Sequence, residues 1–435
     1  MNAPIKIPLS RPDITDEDRE LVLETLRTPH LSLGPRLREF EEKFAAYVGT
    51  KHAVAVNSGT SALHLCVRAL GIGEGDTVIT SPFSFVASAN CMLFERARPV
   101  FVDIDPVTLN IDVGKLEEKV REVRGGAATR RRRAKAGSGS ETGRERVKGQ
   151  LKAILPVHVF GRPCDMPAIM DIARRYELDV IEDACEALGA ELRTEPDHRG
   201  EESGSAGGQG SQGGFGKAGR AEGEGSWQKA GTFGRCAAFG FYPNKQMTTG
   251  EGGAVVTDDD GVAAACRSMR NQGRSESAAW LQHERLGYNY RLSDINCALG
   301  IGQLARIEEM LEKRARVAGW YGERLRGVAD IVVPEARAGE RISWFVYVVR
   351  LAERFSRDDR DRILEKLRAQ GIGCSNYFTP IHLQPFYREM FGYKEGDFPV
   401  TEAVAARTIA LPFYNELGEG WVDEVCASLN DVLSA

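Results

Sequence analysis

His52-Ala-Val-Ala-Val-Asn-Ser-Gly-Thr-Ser-Ala-Leu-His-Leu-Cys-Val-Arg-Ala-Leu70 decides how the chain folds. A short, uniformly apolar run reads as a strand buried on both faces, as in a parallel sheet. The small polar turn Asn57-Ser-Gly-Thr-Ser61 follows, then an apolar helical stretch. The first amides of a helix have no partner inside it, and its dipole is positive there, so a strand–turn–helix junction is a natural anion site. It lacks the G-x-x-x-x-G-K pattern of a P-loop. By itself such a turn is also an ordinary N-cap.

Outward from this unit the alternation repeats. Thr77-Val-Ile-Thr80, Pro99-Val-Phe-Val-Asp-Ile104, Leu151-Lys-Ala-Ile-Leu-Pro-Val157 and Leu178-Asp-Val-Ile-Glu-Asp-Ala-Cys185 read as strands separated by helical segments. That order predicts an α/β fold on a largely parallel sheet. Ligands gather at the carboxyl edge of such sheets. The aromatics of Ser81-Pro-Phe-Ser-Phe-Val-Ala-Ser88 read either as core or as a wall over a flat ligand at that edge, and Asp183, at its strand's end, either as a helix N-cap or as a partner for a cation; the loop Phe241-Tyr-Pro-Asn-Lys245 with Thr248-Thr-Gly-Glu-Gly-Gly253 joins two further apolar strands. Lys245 is a lone lysine on a tight loop between two apolar strands. Desolvation disfavours an ammonium, so a lysine so placed can serve as an amine nucleophile. A surface lysine in a glycine turn is the plainer reading.

At the N-terminus, Thr15-Asp-Glu-Asp18 opens a helix through Leu26, and a second helix runs from Leu37 to Val48. Residues 295–321 predict one long amphipathic helix, and beyond residue 325 short strands mix with helices. Two stretches break the pattern. Residues 124–149 include the run Arg130 to Arg133, and residues 194–229 are rich in Gly, Ser, Gln and Glu; both read as disordered insertions.

Composition excludes several classes. With 435 residues the chain exceeds one small core, and its net charge of −5 gives no reason to expect nucleic acid as a partner. No run of roughly 18 apolar residues suggests a membrane span or membrane partner. Nine scattered Cys without a C-x-x-C pair fit reduced thiols in a cytoplasmic protein better than a disulfide framework or a metal site.

Asn57-Ser-Gly-Thr-Ser-Ala-Leu-His-Leu65, Ser81–Ser88, Pro99–Ile104, Val180-Ile-Glu-Asp-Ala-Cys185, the Lys245 loop and Gly287-Tyr-Asn-Tyr-Arg291 occur in one order. Together they resemble the DegT/DnrJ/EryC1/StrS family, pyridoxal-phosphate-dependent aminotransferases acting on keto sugars carried on nucleotides. The resemblance implies a fold-type I architecture. A mostly parallel seven-stranded sheet would lie in a large domain with an N-terminal arm (residues 1–325), and a smaller α+β domain would follow (326–435). It implies that Lys245 is the Schiff-base lysine and proton shuttle, and that Asp183 partners the pyridine nitrogen. Phe85 would cover the cofactor face. Ser58, Gly59 and Thr60 would cradle the phosphate.

Asn289 would reach the neighbouring subunit's phosphate in a homodimer with shared active sites. Tyr290, Arg291 and the loop Tyr377-Phe-Thr-Pro-Ile-His-Leu-Gln384 would contact the sugar, with a structural role an equal reading for His382 itself. The cofactor would cycle through pyridoxamine phosphate (PMP), with L-glutamate as donor. Glu186 stands where the family often has Gln or His, and Gly240 where many members have a phosphate-touching Ser. Two other readings remain: a dehydratase, whose relatives replace the lysine by His, and a non-catalytic regulatory relative.

Overall fold

The computed structural model describes residues 4–136, 149–194, 226–274 and 282–434. In chain order, α1 (Asp16–Leu26) and α2 (Pro35–Val48) lead into β1 (His52–Val56), α3 (Gly59–Ala69), β2 (Thr77–Thr80), α4 (Ala87–Leu93), β3 (Arg98–Phe101), α5 (Val113–Ala136), β4 (Leu151–Ile154), α6 (Met166–Arg175) and β5 (Asp179–Asp183). Next come β6 (Glu191–Thr194), β7 (Ser226–Lys229), β8 (Cys236–Gly240), β9 (Gly253–Thr257), α7 (Asp260–Arg270), α8 (Asp294–Ala305) and α9 (Ile307–Leu325). The chain closes with β10 (Ile331–Val332), β11 (Glu340–Arg341), β12 (Tyr347–Leu351), α10 (Arg357–Ala369), α11 (Pro385–Phe391), α12 (Pro399–Ala405), β13 (Thr408–Leu411) and α13 (Glu419–Ser434).

Seven strands form one sheet in the order β1-β9-β8-β5-β4-β2-β3. β8, β5, β4, β2 and β3 run parallel, and β9 is antiparallel to both its neighbours. The uniformly apolar β1 follows from burial on both faces. Val54 and Val56 pack into a core with Leu63, Cys66 and Met269, under α3 and α7. Ala53 and Ala55, pointing the other way, meet Phe40, Phe44 and Ile301 of α2 and α8. Alternate residues thus serve two different cores. A second sheet, β10-β12-β13, carries its own core, where Tyr347, Val349 and Ile409 pack against Tyr321, Leu367 and Val425.

Thr15 caps α1 as its sequence predicts, with Asp18 completing a capping box. Three expectations need correction. The helix predicted over residues 295–321 is two helices. Arg306 leaves helical geometry at φ −113°, ψ 13°, and its guanidinium reaches Asp18 Oδ2 at 3.1 Å. The basic run Arg130–Arg133, read as disordered, continues α5 through Ala136; Ala, Arg and Lys are strong helix formers even without an apolar face. Residues 137–148 of that expected insertion lie outside the described residues. The second insertion is shorter than expected, because Ser226–Lys229 is a strand pairing antiparallel with Glu191–Thr194. β11 extends this pair to three strands. Residues 195–225 lie outside the described residues.

Candidate active site

β5, β8 and β2 run parallel, so their carboxyl ends share one edge of the sheet. Residues following those ends, together with the start of α3, open on a cavity of about 790 Å³. Asp183, the last residue of β5, is 4% exposed. Its Oδ2 accepts a 2.6 Å hydrogen bond from Ser88 Oγ, and its Oδ1 accepts one from the Cys185 N–H at 3.2 Å. Ser84 Oγ lies 2.7 Å from Ser88 Oγ, one helical turn earlier. The carboxylate is therefore fixed in rotation by a short hydroxyl chain.

Lys245 stands on the β8–β9 loop. The loop turns where it does because Gly250 takes φ +82°, and because a Cβ on Gly253 would come within 2.6 Å of the Ser58 carbonyl carbon. The Lys245 side chain is 15% exposed, with Nζ 3.6 Å from Glu186 Oε1. The same amine sits 3.8 Å over the Phe345 ring centroid, a cation–π contact. Glu186 is buried; that burial pushes its carboxyl above the ordinary range, while the Lys245 charge pulls it down. Its Oε2 accepts the Phe160 N–H at 2.9 Å.

Behind the loop, Arg314 is fully buried, and burial brings its guanidinium down to about 10. It donates to the Lys245 carbonyl at 2.8 Å and to the Phe345 carbonyl at 3.2 Å. One side chain thereby fastens the lysine and the aromatic ring beneath its amine to the same anchor. Gln246 donates to the Glu186 carbonyl at 2.6 Å and to Ser343 Oγ at 3.0 Å, holding the third member of the group.

At the start of α3 the three expected cradle residues divide their work. Ser58 Oγ accepts the Ser61 N–H at 3.1 Å and donates to Ser61 Oγ at 2.9 Å, so this hydroxyl is the helix cap. Gly59 and Thr60 line the cavity. The first-turn amides of a helix lack internal acceptors, and the Thr60 hydroxyl has no partner among the described residues. A Cβ on Gly240 would meet Cys185 Cβ at 3.5 Å, ordinary contact distance, so space does not forbid a side chain there. Phe85, at the cavity wall, is 61% exposed and offers a bare ring face.

These residues suit pyridoxal phosphate. The primary amine of Lys245 can bond an aldehyde, Asp183 can face a ring nitrogen, Phe85 can cover a flat ring, and the start of α3 offers unpaired donors to a phosphate.

The remaining expected residues lie elsewhere. Asn289 is exposed, and its carbonyl accepts from Asn57 Nδ2 at 3.5 Å. Tyr290 Oη meets His64 Nδ1 at 3.0 Å, and its ring stacks on Tyr288. Arg291 donates to Asn271 Oδ1 at 3.0 Å. None of these three lines the cavity of its own chain. Of the two readings of His382, its surroundings match the structural one. Its side chain is fully buried, its ring packs edge-on to Phe398, and Nε2 meets Glu402 Oε1 at 3.0 Å. From the same segment Tyr377, Phe378, Thr379 and Gln384 do line the cavity.

Sequence reading passed over Ser84, Ser88, Phe345 and Arg314. The two serines had a signal, an i, i+4 spacing just after a strand. The other two are brought in from distant segments and had none. Among the described residues no group of three or more His, Cys, Asp or Glu is placed to hold a metal ion, and no helix is long and apolar enough to cross a membrane.

The chain is similar to known proteins over nearly its whole length. The profile of the DegT/DnrJ/EryC1/StrS aminotransferase family matches residues 12–430. A GDP-perosamine synthase of Caulobacter vibrioides is 36% identical, the match covering 98% of both chains. A UDP-4-amino-4-deoxy-L-arabinose–oxoglutarate aminotransferase of Shewanella sediminis is 29% identical, again over 98% of both. The crystal structure of a family aminotransferase from Brucella abortus superposes with a TM-score of 0.75 at 30% identity, covering 96% of this chain and 95% of that one. An amine, an anchored carboxylate and an anion cradle on one sheet edge thus coincide with a match over nearly the whole chain: this protein belongs to the DegT/DnrJ/EryC1/StrS aminotransferase family and is a pyridoxal-phosphate-dependent enzyme of the fold-type I architecture.

Proposed function

We propose that the enzyme moves an amino group from L-glutamate onto the keto carbon of a sugar carried on a nucleotide, in the cytoplasmic synthesis of amino sugars for cell-surface polysaccharide. The observation that carries this reading is the Lys245 amine held 3.6 Å from Glu186, in one cavity with the anchored Asp183. The names of the Caulobacter and Shewanella relatives support the substrate class.

When bound, pyridoxal phosphate supplies an electron sink for the charge left on a carbon that loses a proton. The protein supplies the rest. Lys245 Nζ takes the proton from the substrate carbon and returns it on the other side of the transfer, as general base and then general acid. Phe345 beneath that amine holds it in place. Asp183, held by Ser88, presents a fixed acceptor to the ring nitrogen. Gly59, Thr60 and the dipole of α3 hold the phosphate. The Glu186 carboxyl, raised by burial, lies 3.6 Å from the Lys245 amine within the site.

Two lobes, residues 1–325 and 326–435, meet over the cavity, which takes residues from both, Lys245 from one and Phe345 from the other. In a homodimer, Asn289 of the partner subunit completes the phosphate site; the exposure of Asn289 and its absence from the lining of its own cavity support this. Incubating purified protein with pyridoxal phosphate, L-glutamate and a panel of nucleotide-linked keto sugars tests the reading. Formation of 2-oxoglutarate with an amino sugar nucleotide is expected. Protein that stays colourless and takes up no pyridoxal phosphate refutes it.

A further inference from the structure

A second, smaller pocket of about 200 Å³ opens beside the first. Asn376, Phe378 and Thr379 line both, so one wall separates them. Its other sides carry Arg357 and Arg360 at the start of α10, Arg388 of α11, and Glu395. Three guanidinium groups against one carboxylate make the pocket positive.

The arginines are not equivalent. Arg360 is buried and committed, donating to Asp361 Oδ1 at 2.6 Å and to the Ala405 carbonyl at 3.1 Å. Its neighbours around α10 are committed too: Arg354 pairs with Asp330, Arg362 with Asp359, and Arg368 donates to the Cys374 carbonyl. Arg357 and Arg388 break this pattern. Both are exposed, and neither guanidinium has a hydrogen bond or ion pair among the described residues. The Asn376 amide, on the shared wall, likewise has no hydrogen-bond partner among them.

We propose that this pocket binds the phosphate groups of the nucleotide carrying the sugar, an inference that rests on the sugar-nucleotide reading above. The argument is one of adjacency and charge. A sugar placed near Lys245 fills the large cavity, and the small pocket lies next to it along Asn376, Phe378 and Thr379. There a diphosphate meets two uncommitted guanidinium forks, the geometry that binds phosphate oxygens two at a time. Arg360 adds charge from beneath, and Asn376 offers an amide at the crossing. Glu395 opposes binding.

Isothermal calorimetry with GDP, UDP and inorganic pyrophosphate on the pyridoxal-phosphate-loaded enzyme tests this. Wild-type protein is expected to bind at least one nucleoside diphosphate. The double variant Arg357→Ala/Arg388→Ala is expected to bind it roughly tenfold or more weakly. The single variants, each altering an exposed side chain without a partner, are expected to lose a few-fold each. Glu395→Gln is expected to tighten binding, a change of opposite sign that mere disturbance of the fold would not produce. Affinity should fall more steeply with salt in the wild type than in the double variant. Wild-type protein that binds neither nucleotide, or a double variant with unchanged affinity, overturns the pocket. The aminotransferase reading is checked apart from it, by the loss of yellow colour when wild-type enzyme meets L-glutamate, which carries no phosphate.

Discussion

Replacing Ser88 by Ala removes a single oxygen. Ser88 is 1% exposed, and its hydroxyl makes the shorter of the two hydrogen bonds that the protein gives Asp183, 2.6 Å against 3.2 Å from the Cys185 N–H. The lost bond is charge-assisted, a class that contributes about 1.5–3 kcal/mol. The site is buried, so water replaces the hydroxyl poorly. Asp183 would then keep one long backbone donor and could rotate away from the ring nitrogen it faces. Because the carboxylate matters most while charge develops on the substrate carbon, the larger part of the loss should fall on rate. Ser88→Ala is therefore expected to slow the half-reaction with L-glutamate roughly 10- to 150-fold at saturating glutamate. Cofactor affinity should fall less, and the melting temperature little. Stopped-flow absorbance follows the colour change, and titration with pyridoxal phosphate gives the affinity. Ser84→Ala, which breaks only the next link, should show a smaller effect of the same kind. A Ser88→Ala enzyme that turns over at the wild-type rate would refute the anchoring argument.

Three further outcomes follow from the geometry. Lys245→Ala should give protein whose colour borohydride cannot fix to the chain and that transfers no amine; retained turnover would show that another lysine carries the chemistry. Gly240→Ser places a hydroxyl where contact distances are ordinary, 3.5 Å to Cys185 Cβ. It should tighten pyridoxal phosphate binding by a few-fold, from a bond contributing about 0.5–1.5 kcal/mol, and weaker binding by titration would place the phosphate elsewhere.

Glu186→Gln concerns pH. Burial raises this carboxyl above its ordinary 4.5 in the folded chain, so folding holds its proton more tightly. The stability it contributes is full below pH 4.5 and lost as pH rises through the raised value. Gln cannot ionise, so the variant's melting temperature should gain on the wild type as pH climbs through that window; parallel curves would show that the burial of Glu186 carries no such cost.

Local spacing made some of the site legible. Asp183 closes an apolar strand and Lys245 sits between two of them, so spacing marked both positions, but only the resemblance carried by all the motifs together gave them roles. Hydrophobic period also predicted β1 and the capped start of α1. What failed was non-local. Ser88 and Asp183 are 95 positions apart, and Arg314 and Lys245 are 69 apart; no local pattern states which hydroxyl meets which carboxylate. Ile295 to Tyr321 keeps one apolar face, yet Arg306 interrupts the helix because its partner Asp18 lies on α1. His382, polar in a loop-like stretch, is buried because Glu402 on α12 offers it a hydrogen bond.

By itself the sequence determined the parallel α/β sheet and the order of the motifs along it, because each rests on a period or a turn shorter than one element; Lys245 and Asp183 were singled out by the family resemblance that those motifs carry together. Only the tertiary structure decided that Ser58 caps a helix while Thr60 keeps a free hydroxyl, that Phe345 lies under the Lys245 amine, and that Arg357 and Arg388 are left uncommitted beside the cavity. Those outcomes depend on distances between segments far apart in the chain, which packing of the cores sets and local pattern does not encode.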